Sequence, residues 1–91
     1  MTSDPFELAW TPTAQRTLSR LPEKIATAVV EFAYGSLADN PARVGKPLRV
    51  DLTGLHSARR GDYRVIYRID TDAHRVVIIA VRHRSDAYRP Q

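Results

Sequence analysis

The sequence predicts an α+β fold in which an N-terminal β-strand and an α-helical hairpin precede a three-stranded antiparallel sheet. Residues 62–69 alternate between apolar and polar side chains, with Ile66 as the exception, as a strand with one buried face does. Residues 76–81 are apolar at every position, which is typical of a central strand covered on both faces. Residues 12–39 carry apolar side chains at helical spacing. Together these elements predict a four-stranded sheet with the two helices packed on one face.

The chain opens with a short strand followed directly by a helix. Apolar side chains alternate over residues 6–10, which predicts a strand with one buried face. Thr11 suits the N-cap of a helix and Pro12 its first position. This helix stops at Pro22. Its narrow apolar stripe consists of Ala14, Leu18 and Leu21.

A second helix begins at Pro22, so that almost no loop separates the two helices. Gly35 weakens this helix or marks a bend, and Asn40-Pro41 ends it. Its predicted apolar face consists of Ile25, Ala28, Val29, Phe32, Ala33 and Leu37.

The second half of the chain returns to the sheet. Residues 43–54 predict a loop that carries three cations. Residues 55–59 form the next strand, which turns at Arg60-Gly61 into the strand of residues 62–69. The polar connection 70–74 has hairpin length and leads into a returning strand over residues 75–84.

Hairpin geometry predicts that three arginines converge. With a two-residue turn at Arg60-Gly61, Ser57 lies across from Arg64, and Arg59 shares its face. If odd residues of the last two strands pair, Arg64 faces Arg82 or its diagonal neighbour. Like charges across a strand pair are destabilising, so we expect an anion between them, which we take to be a phosphate.

The length of 91 residues predicts one domain, residues 1–91, with a modest core. Aromatic side chains in this core are expected to serve packing, as buried aromatics usually do. The predicted core consists of the apolar stripes of the two helices together with Phe6, Trp10, Tyr63, Val65, Tyr67 and Ile79.

Composition predicts a cytoplasmic protein. The chain has no cysteine, which excludes disulfides and thiolate metal sites. Residues 1–5 lack the features of a signal peptide, and no window reaches the length of a membrane span. The three scattered histidines make no metal motif, so no metal or other cofactor is expected.

Positive charge is concentrated in the second half of the chain. Residues 1–42 carry three basic and five acidic side chains, whereas residues 43–91 carry eleven basic and five acidic ones. Twelve of the fourteen cations are arginine, whose planar fork matches phosphate. A GC-rich genome could account for the excess of arginine over lysine, but it does not explain this segregation.

Several stretches together resemble the RelE/ParE superfamily of bacterial toxins, and RelE-type members of mycobacteria most of all. The likeness covers nearly the whole chain, and its most specific part is Gly-Asp-Tyr-Arg-Val-Ile-Tyr at residues 61–67. That run does not separate the branches of the superfamily. The other matching stretches are Lys46-Pro47-Leu48, Leu52-Thr53-Gly54-Leu55, Ser57–Arg60, Arg68-Ile69, Arg82-His83-Arg84 and Tyr88.

The resemblance implies an endoribonuclease that cuts mRNA on the ribosome and is neutralised by a RelB-like antitoxin. It also implies that the toxin–antitoxin complex binds operator DNA and represses its own operon. The cut would be an attack of a ribose 2′-hydroxyl on the adjacent phosphate, which needs a base, an acid and charge stabilisation but no metal.

Family motifs can be carried over to particular residues. Arg64 and Arg82 match the arginines assigned to the phosphate, and Tyr88 matches a tyrosine that contacts the nucleotide and can share proton transfer. His83 is the nearest candidate for the C-terminal histidine of other members, although strand parity turns it away from Arg82. The cations expected to contact RNA are Lys46, Arg49, Arg59, Arg60 and Arg84.

One departure leaves the general base open. Leu55 and Ser57 stand where the best-known RelE toxins carry two lysines. The preceding loop also lacks the glutamate that other members use.

Two other functions compete with the nuclease. The first is a non-catalytic, ParE-like inhibitor of DNA gyrase. The second is a module whose arginines only dock an acidic antitoxin helix. We favour the nuclease because convergent arginines beside an aromatic side chain suit contacts with phosphate and base.

Overall fold

One strand, three α-helices and then four strands follow one another along residues 4–47 and 54–83, which are the residues that the computed structural model describes. The helices are α1 (Pro12–Arg20), α2 (Glu23–Phe32) and α3 (Pro41–Val44), and a π-helical turn, Ala33–Leu37, extends α2. The strands are β1 (Glu7–Trp10), β2 (Lys46–Pro47), β3 (Leu55–Arg60), β4 (Tyr63–Asp70) and β5 (Arg75–His83).

The α+β architecture and its order of elements are confirmed, but the sheet has five strands in the order β1-β5-β4-β3-β2. The predicted four-stranded sheet was wrong because two residues of the expected loop form the edge strand β2, which pairs antiparallel with β3. The third helix, α3, also lies where the second helix was expected to end. β1 pairs parallel with β5, and all other neighbours are antiparallel.

The β3–β4 turn lies one residue later than predicted. Arg60 pairs with Tyr63, which makes Gly61 and Asp62 the two central residues of the turn. Gly61 has a φ of 60° and Asp62 has a negative φ, and a positive φ at the first central position alone is typical of a type II′ hairpin turn. Arg64 therefore lies opposite Arg59, and the predicted pairing of Arg64 with Ser57 was wrong.

A β-bulge interrupts the pairing of β4 with β5. Ile66 pairs with Ala80 and Tyr67 with Ile78, so Ile79 is the extra residue. The bulge changes the parity of β5, so that Val76 and Ile78 on one side of it, and Val81 on the other, all belong to the buried core. Ile79 was predicted to be in the core, but Ile78 takes that place.

The helices begin largely as the sequence predicts. The side-chain oxygen of Thr11 accepts a hydrogen bond from the Ala14 amide (3.1 Å), and Pro12 is the first residue of α1. The Thr11 hydroxyl also donates to the carbonyl of Ile79 (2.8 Å), which ties the start of α1 to the bulge. The buried hydrophobic cluster that these layers form consists of Ala14, Val29, Ala33, Leu37, Ala58, Val65, Tyr67, Val76, Ile78 and Val81.

Tyr67 connects the core to α3 and β2. Its hydroxyl donates a buried hydrogen bond to the carbonyl of Pro41 (2.6 Å), at the start of α3. Gly45 leaves the space for this hydroxyl, since a Cβ there would collide with it and would lie 2.8 Å from the Ser57 carbonyl. The contact sets the path of the chain into β2 and so the position of Lys46.

Within residues 4–47 and 54–83, no helix has both the length and the apolar character needed to cross a membrane.

Candidate nucleic-acid interface

Three arginines form a row across three neighbouring strands. Arg64 of β4 pairs directly with Arg59 of β3 on one side and with Arg82 of β5 on the other. Directly paired residues point to the same face of a sheet, so the three guanidinium groups share one face. Neighbouring strands are about 4.8 Å apart, which makes the row roughly 10 Å long at the backbone. We call these three residues the arginine row.

Lys46 lies at one end of the arginine row. It pairs with Ser57, which belongs to the same face of β3 as Arg59. These elements border an open cleft of about 560 Å³. The cleft is lined by Val44, Gly45, Lys46, Pro47, Ser57, Arg59 and Arg64.

The cations of this face have no acidic partner among the described residues. The one ion pair found within residues 4–47 and 54–83 joins Arg75 and Glu7 (3.1 Å), away from the arginine row. Arg59 and Arg82 are exposed, and Arg64 is half-buried. Three like charges in direct register are unfavourable unless an anion lies between them, so the face is suited to phosphate.

Two of the expected site residues lie on the other face. Arg60 pairs with Tyr63 and borders the surface near Lys24 of α2, because the turn at Gly61-Asp62 leaves Arg60 within β3. His83 also pairs with Tyr63, and the two rings meet edge to face with centroids 5.0 Å apart. β5 continues to His83, so strand alternation turns its side chain away from Arg82.

The other expected site residues, Arg49, Arg84 and Tyr88, lie outside the described residues. Among the described ones, no group of three His, Cys, Asp or Glu side chains is arranged to hold a metal ion.

Ser57 lines the cleft on the face that strand parity predicted for it together with Arg59. The sequence did not indicate a role for its hydroxyl, because Ser57 stands where family members carry a lysine. Because a hydroxyl can donate to a phosphate oxygen but is a weak base, Ser57 supplies a hydrogen bond to the face and not the missing general base.

Comparison with known proteins shows the family to which this chain is similar. The model of a family described as the ParE toxin of the type II toxin–antitoxin system parDE matches residues 8–88. Toxin RelE of Mycobacterium tuberculosis (strain ATCC 25618 / H37Rv) is 64% identical over 85 residues, which cover 93% of this chain and 88% of that protein. Toxin RelG of the same strain is 55% identical over 85 residues, covering 93% and 98% of the two chains.

Solved structures agree with these relatives. A chain of the toxin–antitoxin complex RelBE2 from Mycobacterium tuberculosis superposes with a TM-score of 0.83 at 55% identity, covering 90% of this chain and 94% of that one. The isolated E. coli RelE toxin gives a TM-score of 0.72 at 15% identity, covering 86% and 83%, a likeness that concerns the fold alone.

Proposed function

Because this chain belongs to the ParE toxin family of type II toxin–antitoxin systems and is a toxin of the RelBE type, we propose that it is a ribosome-dependent endoribonuclease that cuts mRNA. Cleavage of message inhibits translation and arrests growth. The relatives named Toxin RelE and Toxin RelG, at 64% and 55% identity, support a RelE-like rather than a ParE-like target.

The observation that carries the proposal is the arginine row. Arg64 stands between two arginines in direct register, and no carboxylate among the described residues is paired with any of the three. Such an arrangement costs stability in the free protein. A phosphodiester at the row would offset the repulsion and accept forked hydrogen bonds from the guanidinium groups.

The proposed reaction needs no metal. The ribose 2′-oxygen forms a bond to the adjacent phosphorus, and the bond from phosphorus to the 5′-oxygen of the next nucleotide breaks. A base takes the 2′-hydroxyl proton and an acid protonates the leaving 5′-oxygen, giving a cyclic phosphate and a free 5′-hydroxyl. Arg64 and Arg82 stabilise the negative charge that develops on the phosphoryl oxygens.

The remaining roles follow from position. Lys46 and Arg59 hold the RNA backbone beside the scissile phosphate, at the β2 end of the arginine row. Arg49, Arg84 and Tyr88 are proposed to complete the site from the β2–β3 connection and the C-terminus, with Tyr88 contacting the nucleotide and sharing proton transfer. Arg60 and His83 lie on the other face of the sheet and would reach the RNA only around the ends of β3 and β5. We therefore expect replacement of either residue to lower cleavage less than replacement of Arg64 or Arg82.

A RelB-like antitoxin is the proposed protein partner. The similar Mycobacterium tuberculosis chain occurs in a toxin–antitoxin complex. An antitoxin with acidic side chains would suit the cationic face and block access of mRNA to it. The complex is proposed to bind operator DNA, with cytoplasmic ribosomes as the site of action of the free toxin.

Replacing the central arginines tests the proposal. Arg64→Ala and Arg82→Ala should each lower mRNA cleavage in a translating extract by 100-fold or more, about the cost of losing one group that stabilises the transition state. Mapping the 5′ ends of cellular RNA after induction should show cuts clustered within translated codons for the parent and none for the variants. Arg75→Ala is the matched control, since Arg75 lies at the other end of β5 and pairs with Glu7.

Binding of the antitoxin should survive in both variants, which shows that they fold. If Arg64→Ala and Arg82→Ala cut message as fast as the parent, the arginine row is not the catalytic site.

Gyrase inhibition is the second candidate, because the matching family is described by the name ParE. It predicts broken chromosomal DNA and intact message after induction. The RNA-end map and a DNA-break assay on the same cells decide between the two functions.

A further inference from the structure

A second cationic cleft lies beside Arg82, on the side opposite Arg64. β1 pairs with β5 only over Arg75–Ile78, and past that point α1 packs beside β5. The cleft between them has a volume of about 370 Å³. It is lined by Thr13, Thr17 and Arg20 of α1 and by Ala80, Val81 and Arg82 of β5.

The polar groups of this cleft favour an anion. Thr13 accepts a hydrogen bond from the Arg16 guanidinium (3.4 Å), which leaves the Thr13 hydroxyl proton available to a ligand. Arg20 and Arg82 are both exposed and have no ion-pair partner among the described residues. No carboxylate lines the cleft, so two guanidinium groups and a hydroxyl donor face the same space.

Arg82 therefore connects the arginine row to the α1–β5 cleft. It is the last member of the arginine row, and it lines the second cleft together with Arg20. The cations thus follow one another across neighbouring elements from β2 to α1, in a direction that crosses the strands. This cationic track consists of Lys46, Arg59, Arg64, Arg82 and Arg20.

We propose that the α1–β5 cleft binds the phosphate of a nucleotide that flanks the cut in the same RNA strand, an inference that rests on the proposed nuclease function. A single-stranded RNA presents phosphates in series, and a track of cations matches that series better than one isolated site does. Arg82 then bridges the scissile phosphate and its neighbour. Arg20 contacts the flanking phosphate alone.

RNA length separates the two clefts experimentally. Two uncleavable RNAs serve as probes: a 2′-O-methyl dinucleotide, which fills only the arginine row, and a 2′-O-methyl 12-mer, which also reaches α1. Arg20→Gln should weaken binding of the 12-mer about tenfold, as the loss of one charge-assisted contact predicts, and leave the dinucleotide unchanged. The slope of log K against log salt should fall by about 0.7 for the 12-mer.

Two further variants complete the test, one as a control and one at a second group of the cleft. Lys24→Gln removes one positive charge from the exposed start of α2, outside both clefts, and should leave both affinities at the parental values. Thr13→Val keeps the shape of α1 and removes the hydroxyl donor, so it should weaken binding of the 12-mer about tenfold, as expected for a hydrogen bond to a charged phosphate. A thermal unfolding scan of each variant checks that it is folded.

The outcomes are distinct. Equal loss of dinucleotide and 12-mer binding in Arg20→Gln would place Arg20 in the central site and overturn the proposal. Parental RNA binding with weaker antitoxin binding would assign the cleft to a protein and also overturn it. RNA binding unaffected by Arg20→Gln, or failure of the parent to bind the 12-mer at all, would also overturn the proposal, whereas the nuclease function itself is decided separately by the RNA-end map.

Discussion

Tyr67 shows how a single side chain can serve both the core and the position of the site. It is fully buried in β4, its ring stacks on that of His56 (centroids 5.5 Å apart), and its hydroxyl donates to the Pro41 carbonyl at 2.6 Å. The alternation of β4 predicted that Tyr67 points inward. Its hydroxyl partner could not be predicted, because Pro41 is 26 residues away and no local pattern links the two.

Burial raises the pKa of Tyr67 to about 12, from an ordinary value of 10.0. In the unfolded chain this phenol ionises near pH 10, whereas in the folded protein it stays protonated. Its contribution to stability is therefore complete below pH 10 and is lost as the pH rises toward 12. The loss should amount to about 2–3 kcal/mol of the free energy of unfolding.

Tyr67→Phe should remove this pH dependence. At neutral pH the variant should be less stable by about 1–3 kcal/mol, because the Pro41 carbonyl loses its buried partner. Between pH 10 and 12 the difference between parent and variant should shrink. Urea unfolding at several pH values measures both effects, and a parent–variant difference that does not change above pH 10 would contradict the burial argument.

At the scale of elements, the β4–β5 bulge does most to organise the sheet. The unbroken apolar run of residues 76–81 predicted a strand whose two faces are both covered by other parts of the protein. In the structure, an extra residue at Ile79 turns both Ile78 and Val81 inward. A bulge leaves no mark in such a run, since every residue in it is apolar. Beyond the bulge, odd residues pair with odd ones as predicted, and of the two positions that the sequence allowed for Arg64, the structure has it directly opposite Arg82.

The elements α3 and β2 had weaker sequence signals. A two-residue strand that contains Pro47 has no periodicity to detect, and residues 43–54 accordingly suggested a loop. Gly61 fixed the site of the β3–β4 turn only to within one residue, because glycine suits either central position of a tight turn. That single residue decided whether Ser57 or Arg59 faces Arg64.

Gly45→Ala should disturb the connection between α3 and β2. Its Cβ would collide with the Tyr67 hydroxyl and lie 2.8 Å from the Ser57 carbonyl, both of which are held in place. We expect a loss of about 1–3 kcal/mol in the free energy of unfolding, the usual cost of overpacking. Chemical denaturation of the purified toxin measures it.

Gly35→Ala is the matched control for Gly45→Ala. A Cβ at Gly35 meets nothing within 4 Å, and the residue lies in the helical turn after α2. This variant should gain up to about 1 kcal/mol, because alanine loses less backbone entropy in a helix than glycine does. Equal destabilisation by both variants would show that the Tyr67 contact is not the cause.

At the scale of the whole molecule, we expect the arginine row to lower the stability of the free toxin while it serves its function. Arg64→Gln removes the charge that faces two others, so the free toxin should gain about 0.2–1 kcal/mol at low salt while its activity falls. The gain should shrink as salt screens the row. Thermal unfolding at two ionic strengths measures it.

Arg68→Gln is the control for Arg64→Gln. Arg68 lies on the same strand and face, but its cross-strand partners are the uncharged Leu55 and Val77. It should show no salt-dependent gain. A similar gain in both variants would mean that net charge, and not the row itself, sets the effect.

The parallel pairing of β1 with β5 bears on how the toxin is made. Residues 7–10 are synthesised well before residues 75–78, their neighbours in the sheet. Contacts between such distant segments form late in folding. A nascent polypeptide interrupted before residue 75 lacks the strand that joins β1 to β4, together with Arg82. Premature termination should therefore yield an inactive fragment, because the toxin completes its sheet only after β5 has been synthesised.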